Sequence, residues 1–261
     1  QTTARTVDAQ SDVQEGTKTV TMQIGSFTEF FAWNVQQSTS HTFMASTVPS
    51  GTISSWLILE ETWSPYRLEG DLTVASNTRM TVNDGVELRI ASNAIIDVQG
   101  TFEAGTATIS STGFGARWGG LMLDGIVGSR VDLSGTLLAE GSPLITMAGR
   151  GDVSAQGVQF ARSAGADPLI NIYATAQSSL TLIDSELRDA GSRCIQSQST
   201  DANIVLRDVE LSDCKGDGLW ARLSPIDVQG ITLGIGLEDG IDLTGTSGQI
   251  SGIQSSSFDG D

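Results

Sequence analysis

The chain has 261 residues, 39% hydrophobic but only 6% aromatic, with 30 glycines and 5 prolines. That is enough for one large domain or two small ones, and it suits many short strands with glycine turns rather than long helices. A net charge of -17 with only two lysines, Lys18 and Lys215, offers no basic face, which excludes nucleic acid as a partner, and no apolar run approaches the ~20 residues that span a bilayer.

Residues 1–18 are polar, contain no apolar signal-peptide core, and read as an extended or mobile segment. Residues 19–65 read as an N-terminal β-rich cap or assembly region. They hold Phe27, Phe30, Phe31, Trp33, Trp56 and Trp63, large side chains suited to closing the apolar end of a repeat. The same aromatics suit an interaction surface or a strand donated to a neighbouring subunit. His41, the single histidine, stands among Ser and Thr and reads as a surface or cap residue.

From residue 66 the pattern changes. Val74, Val82, Ile90 and Val98 fall at steps of eight, each closing a short alternating strand, with Asn, Asp and Gly between them as turns. Three such sides make a coil of 24 residues. Two ladders then continue at steps of 22–27: Leu123, Ile145, Ile170, Ile195, Leu219, Ile241, and Leu133, Ala155, Leu182, Leu206, Val228, Ile253. A strand-only repeat of this length is a β-solenoid, in which stacked coils bury continuous columns. Residues 66–261 give about eight coils, a rod of roughly 40 Å at the strand spacing.

Gly70–Val74, Gly85–Ile90, Gly100–Gly105, the loop Ser111–Arg117 and Trp118-Gly119-Gly120-Leu121 together resemble the right-handed parallel β-helix repeat proteins of the pectate-lyase-like superfamily. The resemblance implies an all-β, right-handed parallel β-helix over residues 66–261. It carries little about function, because many members are non-enzymatic extracellular surface proteins.

The pentapeptide Ile-Asp-Val-Gln-Gly occurs at 96–100 and again at 226–230. The ladder spacing predicts that both copies occupy one coil position, a strand running into a corner. That corner slot then reads Gly100, Gly135, Gly157, Asp184, Asp208, Gly230, Ser255, residue types that tolerate a left-handed bend.

Two segments at a step of 24, Leu182–Gly191 and Leu206–Gly216, stack Asp184 over Asp208, Glu186 over Glu210 and Asp189 over Asp213. Like charges at strand spacing repel. Water, the nearby Arg188, Arg193, Arg207 and Arg222, or a Ca²⁺ ion held by carboxylates would offset this, so the six acids are the candidate metal ligands. No cofactor is otherwise required. One histidine leaves no room for a Ser-His-Asp set, and no zinc spacing occurs. The Gly-His-Gly motif of polygalacturonases is absent from the repeat, and no catalytic residue is singled out. Cys194 and Cys214, 20 apart, lie within reach of a disulfide across one coil; the other reading is two buried small hydrophobes.

The sequence "SGQISGIQSSSFDGD" breaks off inside a coil, which predicts either a longer natural chain or an end covered by another chain. Two functions are expected from these features. One is a secreted, non-enzymatic structural module acting in cell-surface adhesion or self-assembly, including as a filament subunit, with itself as end-to-end partner. The other is a β-helix that binds or acts on polysaccharide.

Overall fold

The computed structural model describes residues 41–42 and 46–255, except 114, 125–127, 164 and 175. All of these lie in one compact unit, 38–261. The expected N-terminal segment and most of the expected cap, including Phe27, Phe30, Phe31 and Trp33, lie outside the described residues.

The unit is a parallel β-helix of about nine turns. Each coil visits three faces. The first face is a nine-stranded sheet running from Gly51–Ile53 through Leu72–Val74, Ile95–Val98, Gly120–Leu123, Ile145–Met147, Ile170–Ile172, Ile195–Ser197 and Leu219–Arg222 to Ile241–Thr244. The second starts at His41–Thr42 and Leu57–Leu59 and ends at Ser247–Ser251; the third starts at Thr47–Val48 and Tyr66–Leu68 and ends at Gln254–Ser255. Two long strands, Asn203–Ser212 and Pro225–Leu233, run through the corner between the second and third faces without a break. All pairing is between successive coils.

The parallel ladder begins before residue 66. Thr47–Val48 pairs with Arg67–Leu68, and Gly51–Ile53 with Leu72–Val74. Residues 46–65 are therefore coil, not a separate cap, which adds a turn to the expected eight. Val48, Leu57 and Leu59 are already buried like any later inward residue.

Alternation drives the packing. On the third face Tyr66, Leu88, Ile109, Leu138, Phe160, Leu187 and Leu211 stack in one inward column, each fully buried. A buried side chain of this size contributes about 1.5–3 kcal/mol, and in a solenoid that gain accrues coil by coil. The Tyr66 hydroxyl stays in the core by donating to the Glu60 carbonyl at 3.0 Å while accepting from the Glu60 N–H at 3.1 Å. Buried Trp118 donates its indole N–H to the Ala139 carbonyl at 2.8 Å. After it, Gly120 has φ +86°, and a Cβ there would stand 2.2 Å from the Pro143 carbonyl oxygen; the close coil-to-coil approach requires glycine.

The register corrects three details of the expected ladders. Ile145 pairs with Leu121, not Leu123, because both leucines alternate inward. Val228 pairs with Ile250, not Ile253. Val98 belongs to the first face, with Val74, whereas Leu133 belongs to the second, with Ala104. The two Ile-Asp-Val-Gln-Gly copies therefore occupy different faces: 96–100 ends a first-face strand, and 226–230 ends the second-face part of Pro225–Leu233. A hydrophobic-polar alternation entering a glycine corner is written alike wherever the coil turns.

Candidate functional site

From residue 135 onward, the corner between the second and third faces is built by one left-handed residue per coil. Gly135, Gly157, Asp184, Asp208, Gly230 and Gly252 have φ of 63°, 64°, 49°, 51°, 69° and 68°. Glycine and aspartate tolerate this region. Each corner is stitched to the next: the Gly135, Gly157 and Asp184 N–H groups donate to the carbonyls of Gln156, Ile183 and Arg207 at 2.9, 3.0 and 2.9 Å. The column replaces the expected slot members Gly100, which is on another face, and Ser255, whose place Gly252 takes.

On the outer side of this corner runs an open groove of about 390 Å³, lined by Asp184, Glu186, Asp208 and Glu210 with Gly157 and Gly230 among its other residues. Glu186 stacks directly on Glu210. Arg188 Nε lies 2.9 Å from Glu186 Oε1 but without hydrogen-bond alignment, and its Nη1 lies 3.6 Å from Asp189. A second open hollow of about 730 Å³, lined by Glu60, Glu61, Asp84, Glu103 and Asp132, reaches Gln156, next to Gly157 of the first. The Glu103 and Asp132 carboxylates are paired with Arg79 and Arg130, at 3.4 and 2.5 Å.

The expected acidic stripe is divided by the fold. Asp184, Glu186, Asp208 and Glu210 share the groove. Asp189 and Asp213, also left-handed at φ 56° and 50°, sit at the next corner, between the third and first faces, and line a different hollow. Among the described residues no group of three or more His, Cys, Asp or Glu converges to hold a metal ion. The three stacked acid pairs lie on two corners and the strand between them, so they do not close into one cage.

Cys194 and Cys214 are joined in a disulfide with Cα atoms 5.6 Å apart. It ties one third-to-first corner to the next, where Lys215 N–H donates to the Ala190 carbonyl at 3.2 Å. Of the aromatic candidates that are described, Trp56 is 47% exposed and Trp63 36%. The Arg79 guanidinium lies over Trp56, 5.4 Å from its ring centre.

Asp97 and Asp227, the aspartates of the two pentapeptides, share one property despite their different faces: each has a buried Oδ1 with no hydrogen-bond partner. Asp97 Oδ2 accepts from Gln99 Nε2 at 2.8 Å, and Arg207 donates to Asp227 Oδ2. Burial raises the Asp97 carboxyl above the ordinary aspartate value; the Asp124 charge pushes the same way, and hydrogen bonds from Gln99 and Thr73 oppose it.

Two clusters were not visible in the sequence. On the outer side of the first face, both Arg193 and Arg222 hold their guanidinium carbons 4.5 Å from the centre of the Trp220 ring, and Arg193 also pairs with Asp217 at 2.7 Å. At the third-to-first corner, Arg117, Arg162 and Lys215 line one hollow of about 550 Å³. Their sequence separation gives no local signal; only the exact coil register brings them together. Compared with known proteins, the chain matches no protein-family model, no curated protein and no solved structure.

Proposed function

We propose that the chain is an extracellular structural β-helix module that acts in surface adhesion or self-assembly by stacking coil on coil. The observation that supports this reading is the coil-on-coil stack itself: every sheet is parallel and pairs successive coils, and the inward columns through Leu219, Ala221 and Val228 run on into Ile241, Leu243 and Ile250, an architecture that extends by adding further coils in register. The disulfide fits an oxidising, extracellular setting, and the acidic surface suits a soluble, secreted module.

Sedimentation velocity over a wide concentration range, with electron microscopy of the same samples, tests it. Concentration-dependent end-to-end oligomers that Leu243→Asp and Ile250→Asp abolish are expected. A monomer unchanged at every concentration would sink the assembly reading for this chain.

A polysaccharide-binding role is the second reading, favoured by the first-face cluster. Tyr173, 49% exposed, follows the strand that carries Asn171, which accepts from Gln196 at 3.4 Å, and Gln196 stacks beside Trp220. Aromatic, amide and guanidinium groups on one rigid face suit sugar hydroxyls and ring faces. Trp220 itself is 7% exposed, so contact would fall to Tyr173 and the two arginines. A polysaccharide panel with and without chelator, giving no binding that Tyr173→Ala weakens, would remove this reading.

A further inference from the structure

Two outward columns run side by side along the first face. The central one, Asn171, Gln196, Trp220 and Asp242, follows the strand register coil by coil. Two residues further on in each coil stand Tyr173, Gln198, Arg222 and Thr244, all exposed. The parallel ladder still holds there. The Tyr173 and Gln198 N–H groups donate to the Met147 and Ile172 carbonyls at 2.9 and 3.0 Å, and Arg222 pairs with Thr244. Successive members of this edge column therefore sit one strand spacing apart, about 4.8 Å.

The central column is held in one orientation. Arg193 donates from Nε to Asp217 Oδ2 at 2.7 Å and from Nη1 to Gln196 Oε1 at 2.9 Å, and Gln196 Nε2 donates to Asn171 Oδ1 at 3.4 Å. The donors and acceptors of the face are thus fixed before a ligand arrives, which lowers the ordering cost of binding. Trp220, 7% exposed, is the support on which the Arg222 guanidinium lies, 4.5 Å from the ring centre. Arg222 has no carboxylate within ion-pair distance among the described residues, so its N–H groups remain available to an acceptor. The charges of the cluster balance, Arg193 and Arg222 against Asp217 and Asp242, within a chain of net charge -17. A polyanion meets no net attraction at this face and repulsion from the rest of the surface. The hydroxyls of an uncharged ligand need only the donors, acceptors and aromatic ring that are present.

We propose that the first face binds an uncharged, extended polysaccharide laid parallel to the helix axis, with Tyr173, Gln198 and Arg222 each meeting a successive sugar unit. The inference rests on the polysaccharide-binding reading and names the class of chain that the site takes. One strand spacing is close to the length of one pyranose in an extended β-linked chain, so the sugar repeat and the coil repeat stay in step over these three coils. Tyr173 offers its ring face to the apolar side of a pyranose. Gln198 supplies one acceptor and two donors, and Arg222 a planar fork of donors to neighbouring hydroxyls. A chain that winds, as α-linked glucans do, leaves the column after its first contact.

Isothermal titration calorimetry of the full chain at ~0.1 M ionic strength, where long-range repulsion by the acidic surface is screened, tests the site with cellohexaose, xylohexaose, maltohexaose and polygalacturonate. The expected result is binding of cellohexaose or xylohexaose, with maltohexaose and polygalacturonate weaker than either. Kd for the bound chain should rise about five- to tenfold in Tyr173→Ala and in Arg222→Gln, and stay unchanged in Gln159→Ala on the third face. Polygalacturonate bound in preference to the neutral chains overturns the uncharged class while a polysaccharide-binding role survives. Maltohexaose bound as tightly as cellohexaose overturns the match of repeats. Binding that neither variant weakens overturns the site, and no saccharide bound removes this inference together with the reading beneath it. Tyr173 is exposed and outward, so its variant keeps the test decisive if Arg222→Gln disturbs the packing on Trp220.

Discussion

Replacing Gly230 by alanine probes the coil register at one atom pair. Gly230 has φ +69°, and a Cβ built there would stand 2.1 Å from Asp208 Oδ1 on the coil beneath. The left-handed backbone costs an L-residue about 1–2 kcal/mol. Turning the Asp208 side chain away costs about 0.5–1.5 kcal/mol. The lower unfolded-state entropy of alanine returns about 0.4–1 kcal/mol. The net expectation for Gly230→Ala is a destabilisation of about 2 kcal/mol, read from the urea midpoint by far-UV circular dichroism. In Gly230→Ala/Asp208→Gly the steric part vanishes while the backbone part remains, so the double-mutant cycle should show a coupling of about 1 kcal/mol. A neutral Gly230→Ala, or strictly additive mutations, would refute the stacking of residue 230 on residue 208.

Three further outcomes are expected. Replacing both Cys194 and Cys214 by alanine, which opens a loop of 20 residues, should lower stability by about 3 kcal/mol; the fall in the urea midpoint measures it. Tyr66→Phe leaves the half-buried Glu60 N–H without its acceptor, and should cost about 1 kcal/mol in the same assay. The Asp97 carboxyl is raised in the folded state by burial, so between its ordinary value of 3.8 and its raised value the native chain binds more protons than the unfolded one. Native stability therefore falls as pH rises through that window. Asp97→Asn should melt above the wild type at neutral pH, and its advantage should shrink as pH falls toward the ordinary aspartate value. An advantage that does not change with pH would contradict the burial of that charge.

The coil was legible because its alternation is clean. Val74, Val82 and Ile90 close strands on the first, second and third faces in turn, and Val98 returns to the first, paired with Val74. The column Ile145, Ile170, Ile195, Leu219, Ile241 and the stacking of Asp184, Glu186 and Asp189 on Asp208, Glu210 and Asp213 were also readable. Face identity was not, because inward positions are aliphatic and outward ones polar on every face. That ambiguity joined Val98 to Leu133 and placed both pentapeptides at one corner. Neighbouring inward residues two apart, such as Leu121 and Leu123, differ in no property that sequence records. The start of the solenoid was hidden for another reason: the strands between 46 and 65 are two or three residues long, too short for a period to show. The hollow at Arg117, Arg162 and Lys215 lay beyond sequence reasoning, since its members belong to non-adjacent turns and share no spacing.

The uninterrupted stack on which the functional account rests is tested most directly by one distance. Thr81, Glu103, Asp132, Ser154, Thr181, Val205, Asp227 and Gln249 form a single outward column on the second face, each paired with the next. At the strand spacing its ends stand about 34 Å apart. Double electron–electron resonance between nitroxide labels at Thr81 and Gln249 should give a narrow distribution near that value, widened only by the label linkers. A distance far from it, or a broad distribution, would contradict a continuous rigid coil between those positions.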